Sequence, residues 1–207
     1  MKQPDLILVR HGETVGESSI RYHGRTDVML SELGRSQMRA ARAAIDRVHG
    51  GLEFSHIFSS PLSRAAEGAR IIAGERTPII TIDEFSEVDF GLFEGLTAEE
   101  IRERHPKEFT RWETDRLSPS YQYPGGESRA AFAMRVQRGV ERMLAMWSPE
   151  ASNTRALVIV HRGVIRMIGD QLIGKRPDAE LGSIHILRLA KRWQPVALDL
   201  ISHLDAK

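Results

Sequence analysis

Residues 6–12 read LILVRHG, four apolar residues followed at once by an arginine, a histidine and a glycine. A short apolar run between polar residues predicts a buried strand. Two similar runs occur at 56–59 and 156–160, and the second of these ends at His161. When the strands of an open α/β sheet end in such polar side chains, the carboxyl edge of the sheet is the expected ligand site.

Helices are predicted between these strands. Their starts are indicated by residues that favour a first helical turn, namely Ser31, Pro61, the pair Thr97 and Glu100, and Ser128. Further strands are predicted at 79–82, 183–189 and 196–201. This alternation predicts an α/β fold with a mostly parallel sheet covered on both faces. Residues 97–128 depart from it and are predicted to form a helical insertion, or lid, within a single domain spanning 1–207.

The charge of the chain is balanced, with 29 basic and 28 acidic residues. No global field attracts nucleic acid or an anionic membrane surface, and we expect neither as a partner. The absence of cysteine excludes disulfides, thiolate metal sites and a cysteine nucleophile. No apolar run approaches the roughly 20 residues that span a bilayer, and the N-terminus lacks the pattern of a secretion signal, so the expected location is the cytoplasm.

The residues at the predicted strand ends suit phosphoryl transfer, which requires a neutral nucleophile and fixed positive charge. His11 has the position of the nucleophile, because a neutral imidazole can attack through one ring nitrogen while the other donates to a backbone carbonyl. Arg10 and Arg64 could bind phosphate bidentately, aided by the N-terminus of the helix after Pro61. His161 could supply a further donor.

The reaction also needs an acid that protonates the departing alcohol. Glu87, which follows the third predicted strand, is the first candidate for this role, and Glu13 competes with it. The remaining histidines show no spacing of the His-Glu-x-x-His kind, so we expect no metal site.

A series of motifs carries these residues. They are Arg10-His11-Gly12-Glu13-Thr14, Gly24-Arg25-Thr26-Asp27, Ser59 to Ala65, Glu87-Val88-Asp89-Phe90-Gly91 with Glu94-Gly95, Pro124-Gly125-Gly126-Glu127-Ser128, and His161 to Arg166. In content and order they resemble the histidine phosphatase superfamily, the phosphoglycerate mutase-like proteins. The resemblance covers residues 6 to about 173 and implies a three-layer α/β/α fold that works without a metal or other cofactor.

The resemblance also implies roles for individual residues. His11 would be the residue that is phosphorylated, and Glu87 would be the proton donor. The phosphate pocket would be formed by Arg10, Arg64 and His161. We also place His23 and Gly24 among the phosphate-binding residues.

Two positions differ from the family pattern. Glu17 occupies a position where the family usually has asparagine, and an inward-pointing carboxylate there would repel phosphate. Arg162 stands where the family commonly has the first of two glycines, and Gly163 retains the second. We predict that Glu17 turns away from the phosphate and pairs with a nearby cation, either Arg162 or Arg21.

The leading functional hypothesis is hydrolysis of a small phosphorylated metabolite through a phosphohistidine on His11. One alternative is phosphoryl transfer of the phosphoglycerate mutase type. An alternative of a different class is a phosphate-binding or scaffold module with weak catalysis. The identity of the substrate and the oligomeric state do not follow from the sequence.

Overall fold

The computed structural model describes residues 3–51, 53–74, 77–149 and 154–204. The strands and helices within these residues are β1 (Asp5–Arg10), α1 (Glu32–His49), β2 (His56–Ser59), α2 (Ser63–Ala73), β3 (Ile80–Thr81), α3 (Ala98–Arg104), α4 (Pro106–Asp115), α5 (Arg129–Trp147), β4 (Arg155–Val160), α6 (Arg162–Ile173), β5 (Ile184–Leu189) and β6 (Trp193–Leu200). The predicted α/β class is confirmed.

The strands form one mixed sheet in the order β3-β2-β4-β1-β5-β6. The first four of these are mutually parallel, whereas β5 runs antiparallel to β1 and β6 antiparallel to β5. The prediction of a mostly parallel sheet is therefore confirmed. The third strand is shorter than the predicted 79–82, because only Ile80 and Thr81 pair with β2.

Alternate residues of the central strands face two separate cores, as the twofold side-chain period of a strand requires. Ile7 and Val9 of β1 pack in a core that α1 and α2 cover. Leu6 and Leu8 face the opposite core, which α5 and α6 cover. All four side chains are fully or almost fully buried. The result is the three-layer arrangement that the resemblance implied.

Side-chain caps explain where three helices begin. Ser31 and Ser128 each accept the backbone N–H three residues ahead, both at 3.1 Å, and so start α1 and α5. Thr97 and Glu100 form a complete capping box at the start of α3. Each cap satisfies backbone donors that the first turn of a helix leaves without partners, which is worth about 1 kcal/mol. These three predicted starts are confirmed.

The start of α2 was predicted incorrectly. The helix begins at Ser63 rather than at Pro61, and its N-cap residue Leu62 provides no side-chain acceptor. Asp27 takes over this task from another loop, because its two carboxylate oxygens accept from Ser63 N and Ser63 Oγ, both at 2.7 Å. The helix is thus capped by a residue that is distant in sequence.

Residues 97–128 contain α3, α4 and the turn that leads into α5. Trp112 of α4 packs edge-on against Tyr22, with 6.1 Å between ring centroids, and Tyr22 packs edge-on against Phe90 at 5.2 Å. The segment is therefore anchored on the loops that follow β1 and β3, and its function as a lid stays a prediction. Among the described residues, no helix combines the length and apolar character needed to cross a membrane.

Candidate active site

The carboxyl ends of three parallel strands meet at one edge of the sheet. β1, β4 and β2 continue directly into His11, His161 and Ser60. The N–H of His11 donates to Val160 O at 3.0 Å, and the N–H of Ser60 donates to Ile159 O at 3.1 Å, so both residues extend the ladder of β4. The rings of His11 and His161 lie edge to face, 5.1 Å between centroids.

The geometry of His11 fits a nucleophile. The residue is 3% exposed, and its Nδ1 lies 2.7 Å from the carbonyl oxygen of Gly12. Because a carbonyl can only accept, Nδ1 carries the proton and Nε2 of the neutral ring keeps its lone pair. Burial, together with the charges of Arg64 and Arg10, holds the pKa of His11 well below 6.5. His11 is therefore neutral at pH 7.

His161 is oriented to act as a hydrogen-bond donor. Its Nε2 lies 2.7 Å from Ser60 Oγ, and Ser60 Oγ also accepts the N–H of Leu62 at 3.2 Å. The hydroxyl proton of Ser60 is then available to Nε2, which leaves the ring proton on Nδ1. That Nδ1 is buried and has no hydrogen-bond partner among the described residues. Burial and the charge of Arg64 hold the pKa of His161 well below 6.5, so the ring is neutral.

Arg10 and Arg64 bring two buried guanidinium groups to the same edge. Arg10 donates from Nη1 to Ala179 O at 2.9 Å, and Arg64 donates from Nη1 and Nη2 to Thr26 O and Gly24 O at 2.9 and 2.7 Å. In both side chains the Nε is buried without a partner in the described part of the chain. Burial lowers the pKa of Arg10 to about 10 and also lowers that of Arg64, yet both remain cations at pH 7.

Glu87 lies close to both arginines. Burial lowers the pKa of Arg10 and of Arg64, and the negative charge of Glu87 raises both. It is the largest of the charge effects that do so. The carboxylate is held by two backbone donors, Val88 N at 2.9 Å and Gly163 N at 3.0 Å. A Cβ on Gly163 would overlap this carboxylate, so a larger residue here would displace the Glu87 carboxylate from its position.

Arg135 of α5 was overlooked in the sequence as a residue that supports the site. Its guanidinium donates to the carbonyl oxygens of Glu84, Ser86 and Glu87 at 2.8, 2.9 and 3.2 Å, and it pairs with Glu127 at 2.7 Å. Arg135 thereby fixes the loop that carries Glu87. No local signal in the sequence predicted this contact.

The other two predicted phosphate-binding residues lie beside the pocket. His23 is 7% exposed, its Nε2 contacts Gly16 O, and its Nδ1 is buried without a partner in the described residues. Gly24 contributes its carbonyl to Arg64 and has a φ of +52°. A Cβ at this position would meet the Val88 carbonyl at 2.7 Å, which explains the glycine. Direct contact of His23 and Gly24 with phosphate stays a prediction.

Glu13, the competing acid, is engaged in a different task. Its carboxylate accepts the N–H of Thr14 at 2.8 Å and that of Ser19 at 3.2 Å, so it stabilises the loop that follows His11. Among the described residues, no group of three or more histidine and carboxylate side chains is arranged to hold a metal ion.

Comparison with known proteins agrees with this geometry. Residues 6–192 match the sequence model of the histidine phosphatase superfamily (branch 1). The chain belongs to this family. It is 33% identical to phosphoserine phosphatase 1 of Hydrogenobacter thermophilus, over 82% of this chain and 76% of the relative. The alpha-ribazole phosphatase of Shigella flexneri has the same fold, with a TM-score of 0.78 at 24% identity, covering 94% of this chain and 96% of that one.

A longer relative matches only in part. The chain is 36% identical to a bifunctional protein of Mycobacterium tuberculosis over 89% of its own length but only 47% of the relative. It thus spans about half the length of the first curated relatives that it matches. The match therefore identifies the family of this chain and does not transfer the activity of the longer relative to it.

The two departures from the family pattern have separate explanations in the structure. The Glu17 side chain is 62% exposed and pairs with Arg21 at 3.3 Å, which is one of the two pairings predicted from the sequence. The other alternative was wrong, because Arg162 donates from Nε to Asp178 O at 2.9 Å and makes no ion pair with Glu17. The two unusual residues therefore do not compensate one another.

Proposed function

We propose that the protein is a phosphomonoester hydrolase that acts through a phosphohistidine on His11. One observation carries this proposal: a buried neutral histidine with a free Nε2 stands among buried N–H groups that lack partners in the part of the chain that the structure describes. These groups belong to Arg10, Arg64 and His161. Unpaired buried donors are costly, and an anion with several acceptor oxygens satisfies them all.

In the first step the Nε2 lone pair of His11 attacks phosphorus. The bond between phosphorus and the ester oxygen breaks, and Glu87 gives its proton to the departing alkoxide. Arg10, Arg64 and His161 hold the equatorial oxygens in place, which is the main requirement of phosphoryl transfer. The Glu87 carboxylate must therefore take up a proton as the phosphate ester binds, and the negative charge of the ester favours this uptake.

In the second step water attacks the phosphohistidine. The Glu87 carboxylate takes a proton from the water, the P–N bond breaks, and phosphate is released with His11 neutral again. Because Glu87 returns to its protonated form, the cycle balances without a cofactor or a metal. The cations of the pocket supply the charge that a metal ion provides in other phosphatases.

The substrate is proposed to be a small phosphorylated metabolite. The name of the Hydrogenobacter thermophilus relative, phosphoserine phosphatase 1, supports a substrate of this size. Residues 97–128, packed on Tyr22 and Phe90, would bound the side of the pocket on which the leaving group lies.

The decisive experiment is acid quenching during turnover of p-nitrophenyl phosphate or another phosphomonoester. We expect acid-labile phosphate on His11 in the native protein and none in His11→Ala. Since the nucleophile is lost, His11→Ala should retain less than about 10⁻³ of the native kcat. Near-native activity in this variant, with circular dichroism showing an intact fold, would contradict the proposal.

Two further controls separate the proposal from its alternatives. Exhaustive EDTA treatment should leave the activity in place, and a loss that added Zn²⁺ or Mg²⁺ restores would contradict the cofactor-free mechanism. A phosphoenzyme that persists in water and passes its phosphate to a phosphoglycerate instead would identify a mutase.

A further inference from the structure

Three arginines line up along one short backbone segment beside the phosphate pocket. Arg166 Nε, Arg162 Nε and Arg10 Nη1 donate to the carbonyl oxygens of residues 177, 178 and 179, at 3.0, 2.9 and 2.9 Å. Successive carbonyls therefore space three guanidinium groups in a row. The row begins inside the pocket at Arg10 and reaches the exposed Arg162 next.

The backbone segment that spaces these groups is itself held in place. The carboxylate of Asp199 accepts the N–H of Asp178 at 3.2 Å and that of Ala179 at 2.8 Å. Ala179 adopts a φ of +53°, a left-handed conformation that costs a residue with a side chain roughly 1 kcal/mol. Two contacts hold this strained residue in place. This indicates that the position of the Ala179 carbonyl, which accepts from Arg10, is important for the site.

The charge of Arg162 acts on Arg10 in the pocket and has no ion-pair partner among the described residues. The charge of Arg162 lowers the pKa of Arg10. Among the causes that lower this pKa, only burial is larger. Within the described residues, no carboxylate lies within 4 Å of its guanidinium, and its Nη atoms make no hydrogen bond. Placing two like charges together is unfavourable until an anion joins them. The two Nη groups of Arg162 remain free to face a carboxylate in the planar, paired geometry that guanidinium prefers.

A second cation stands across the Tyr22 ring. Arg116 stacks on Trp112, with Cζ 4.7 Å from the ring centroid, and Trp112 packs edge-on against Tyr22. Burial raises the pKa of Tyr22, and the charges of Arg116 and Arg162 both oppose that rise. The Tyr22 hydroxyl is therefore within electrostatic reach of both cations, on the side of the pocket where the leaving group would lie.

We propose that Arg162, together with Arg116 and the Tyr22 hydroxyl, forms a second anion subsite that binds a carboxylate on the leaving group of the substrate. The proposal rests on the proposed function, because the phosphate must occupy the pocket of Arg10, Arg64 and His161. Its consequence is selectivity: phosphomonoesters whose alcohol carries a carboxylate are preferred over those whose alcohol does not. The residue that replaces a family glycine is then a specificity-determining residue.

O-phosphoserine and O-phosphoethanolamine test this proposal, since they differ only by the carboxylate. We expect the native enzyme to favour phosphoserine, and Arg162→Gln to lower kcat/KM for phosphoserine about tenfold, mainly through KM. The loss for phosphoethanolamine should be at most about threefold. Where turnover is too slow to follow, the inhibition constant against p-nitrophenyl phosphate replaces KM. Arg162→Lys, which keeps the charge but not the planar fork, should give an intermediate loss.

Arg47→Gln is the matched control, because Arg47 is an exposed arginine in the last turn of α1, at the opposite edge of the sheet. It should leave the ratio between the two substrates unchanged. Equal losses for both substrates in Arg162→Gln, or a native enzyme with no preference for phosphoserine, would overturn the subsite. Those results would leave the phosphohistidine mechanism standing. Failure to hydrolyse p-nitrophenyl phosphate and to form a phosphoenzyme would instead contradict the proposed function itself.

Discussion

The arginines at the two edges of the sheet are paired in opposite ways. At the edge where β1 begins, Arg188 makes two hydrogen bonds with the carboxylate of Asp5, at 2.7 and 2.9 Å. Arg155 donates there to two carbonyls at the end of α1, at 3.2 and 3.5 Å. At the edge where β1 ends, Arg10 and Arg64 each keep a buried Nε without a partner in the described chain. At the first edge the arginines find their partners within the protein, and at the second they keep donors that an anion could meet.

The fold thus places contacts that stabilise it at one edge of the sheet and groups available for function at the other. Paired charges and helix-end contacts hold the fold where the chain has no chemistry to perform. Unpaired donors at the carboxyl edge lower the stability of the free protein and are available to an anion. Changing the same residue type at the two edges should therefore have opposite effects on stability and activity.

The largest contrast is expected between Arg10→Gln and Arg188→Gln. Arg10→Gln removes a donor that we propose binds phosphate, and it should lower kcat/KM by about 10²–10³. Its effect on the free energy of unfolding should stay below about 1 kcal/mol, because relief of the cost of burying the charge offsets the lost Ala179 contact and the lost attraction to Glu87. Steady-state kinetics and urea unfolding measure the two effects.

Arg188→Gln should show the reverse. It leaves the buried carboxylate of Asp5 short of a charged partner and should cost about 1–3 kcal/mol of stability. Since the variant lies at the far edge, kcat/KM should stay within about twofold. If Arg188→Gln impaired activity as strongly as Arg10→Gln, the proposed division between the edges would be wrong.

The two buried carboxylates give the next contrast. Glu87→Gln keeps the shape of the side chain but removes the transferable proton, so it should slow alkyl phosphates about 10²-fold. p-Nitrophenyl phosphate, whose phenolate needs little protonation, should be slowed far less. Asp5→Asn is the matched variant and should affect both substrates alike. Equal losses for the two substrates in Glu87→Gln would mean that Glu87 only positions other groups.

Local signals in the sequence predicted much of this arrangement. Helix starts at Ser31, Thr97 and Ser128 were correct because each cap accepts a backbone N–H that lies only three residues ahead. The positions of His11 and His161 followed from strands that end directly before them. Because β1 and β4 pair in parallel, the two histidines that follow them lie next to each other.

Long-range contacts could not be predicted in this way. The start of α2 depends on Asp27, which lies 36 residues away from Ser63 in the chain. The support of the Glu87 loop by Arg135 spans 48 residues. Such contacts arise only when helices pack on the sheet. Neither hydrophobic periodicity nor a capping residue in the sequence predicts them.

Buried histidines should make the free energy of unfolding depend on pH. The histidines at the two edges should contribute to this dependence to different extents. The pKa of His11 is well below 6.5 in the folded protein, mainly through burial, and close to 6.5 in the unfolded chain. Above pH 6.5 the ring is neutral in both states and contributes no pH dependence. As the pH falls below 6.5 the unfolded chain binds the proton first, so the free energy of unfolding decreases.

His11→Ala should therefore reduce the stability loss between pH 6.5 and 5.5 by about 1 kcal/mol, measured by urea unfolding. His49→Ala, at the opposite edge, should reduce it less. Burial and Arg155 also lower the pKa of His49, but Asp5 opposes this shift. A larger effect in His49→Ala than in His11→Ala would contradict the comparison.

The smallest effect is expected for Glu17→Asn. Glu17 has a φ of +60°, a left-handed conformation that asparagine tolerates better by roughly 1 kcal/mol. The variant loses the exposed ion pair with Arg21, worth at most about 1 kcal/mol, while Arg21 keeps its contacts with Glu100 and the Gly95 carbonyl. The free energy of unfolding should thus change by less than about 1 kcal/mol, and kcat/KM by less than about threefold, because the carboxylate already faces away from phosphate. Glu17 and Arg162 do not touch, so Glu17→Asn combined with Arg162→Gly should show the sum of the two single effects in the ratio of phosphoserine to phosphoethanolamine hydrolysis. A tenfold gain in kcat/KM from Glu17→Asn alone would show instead that the carboxylate turns into the pocket and repels the substrate.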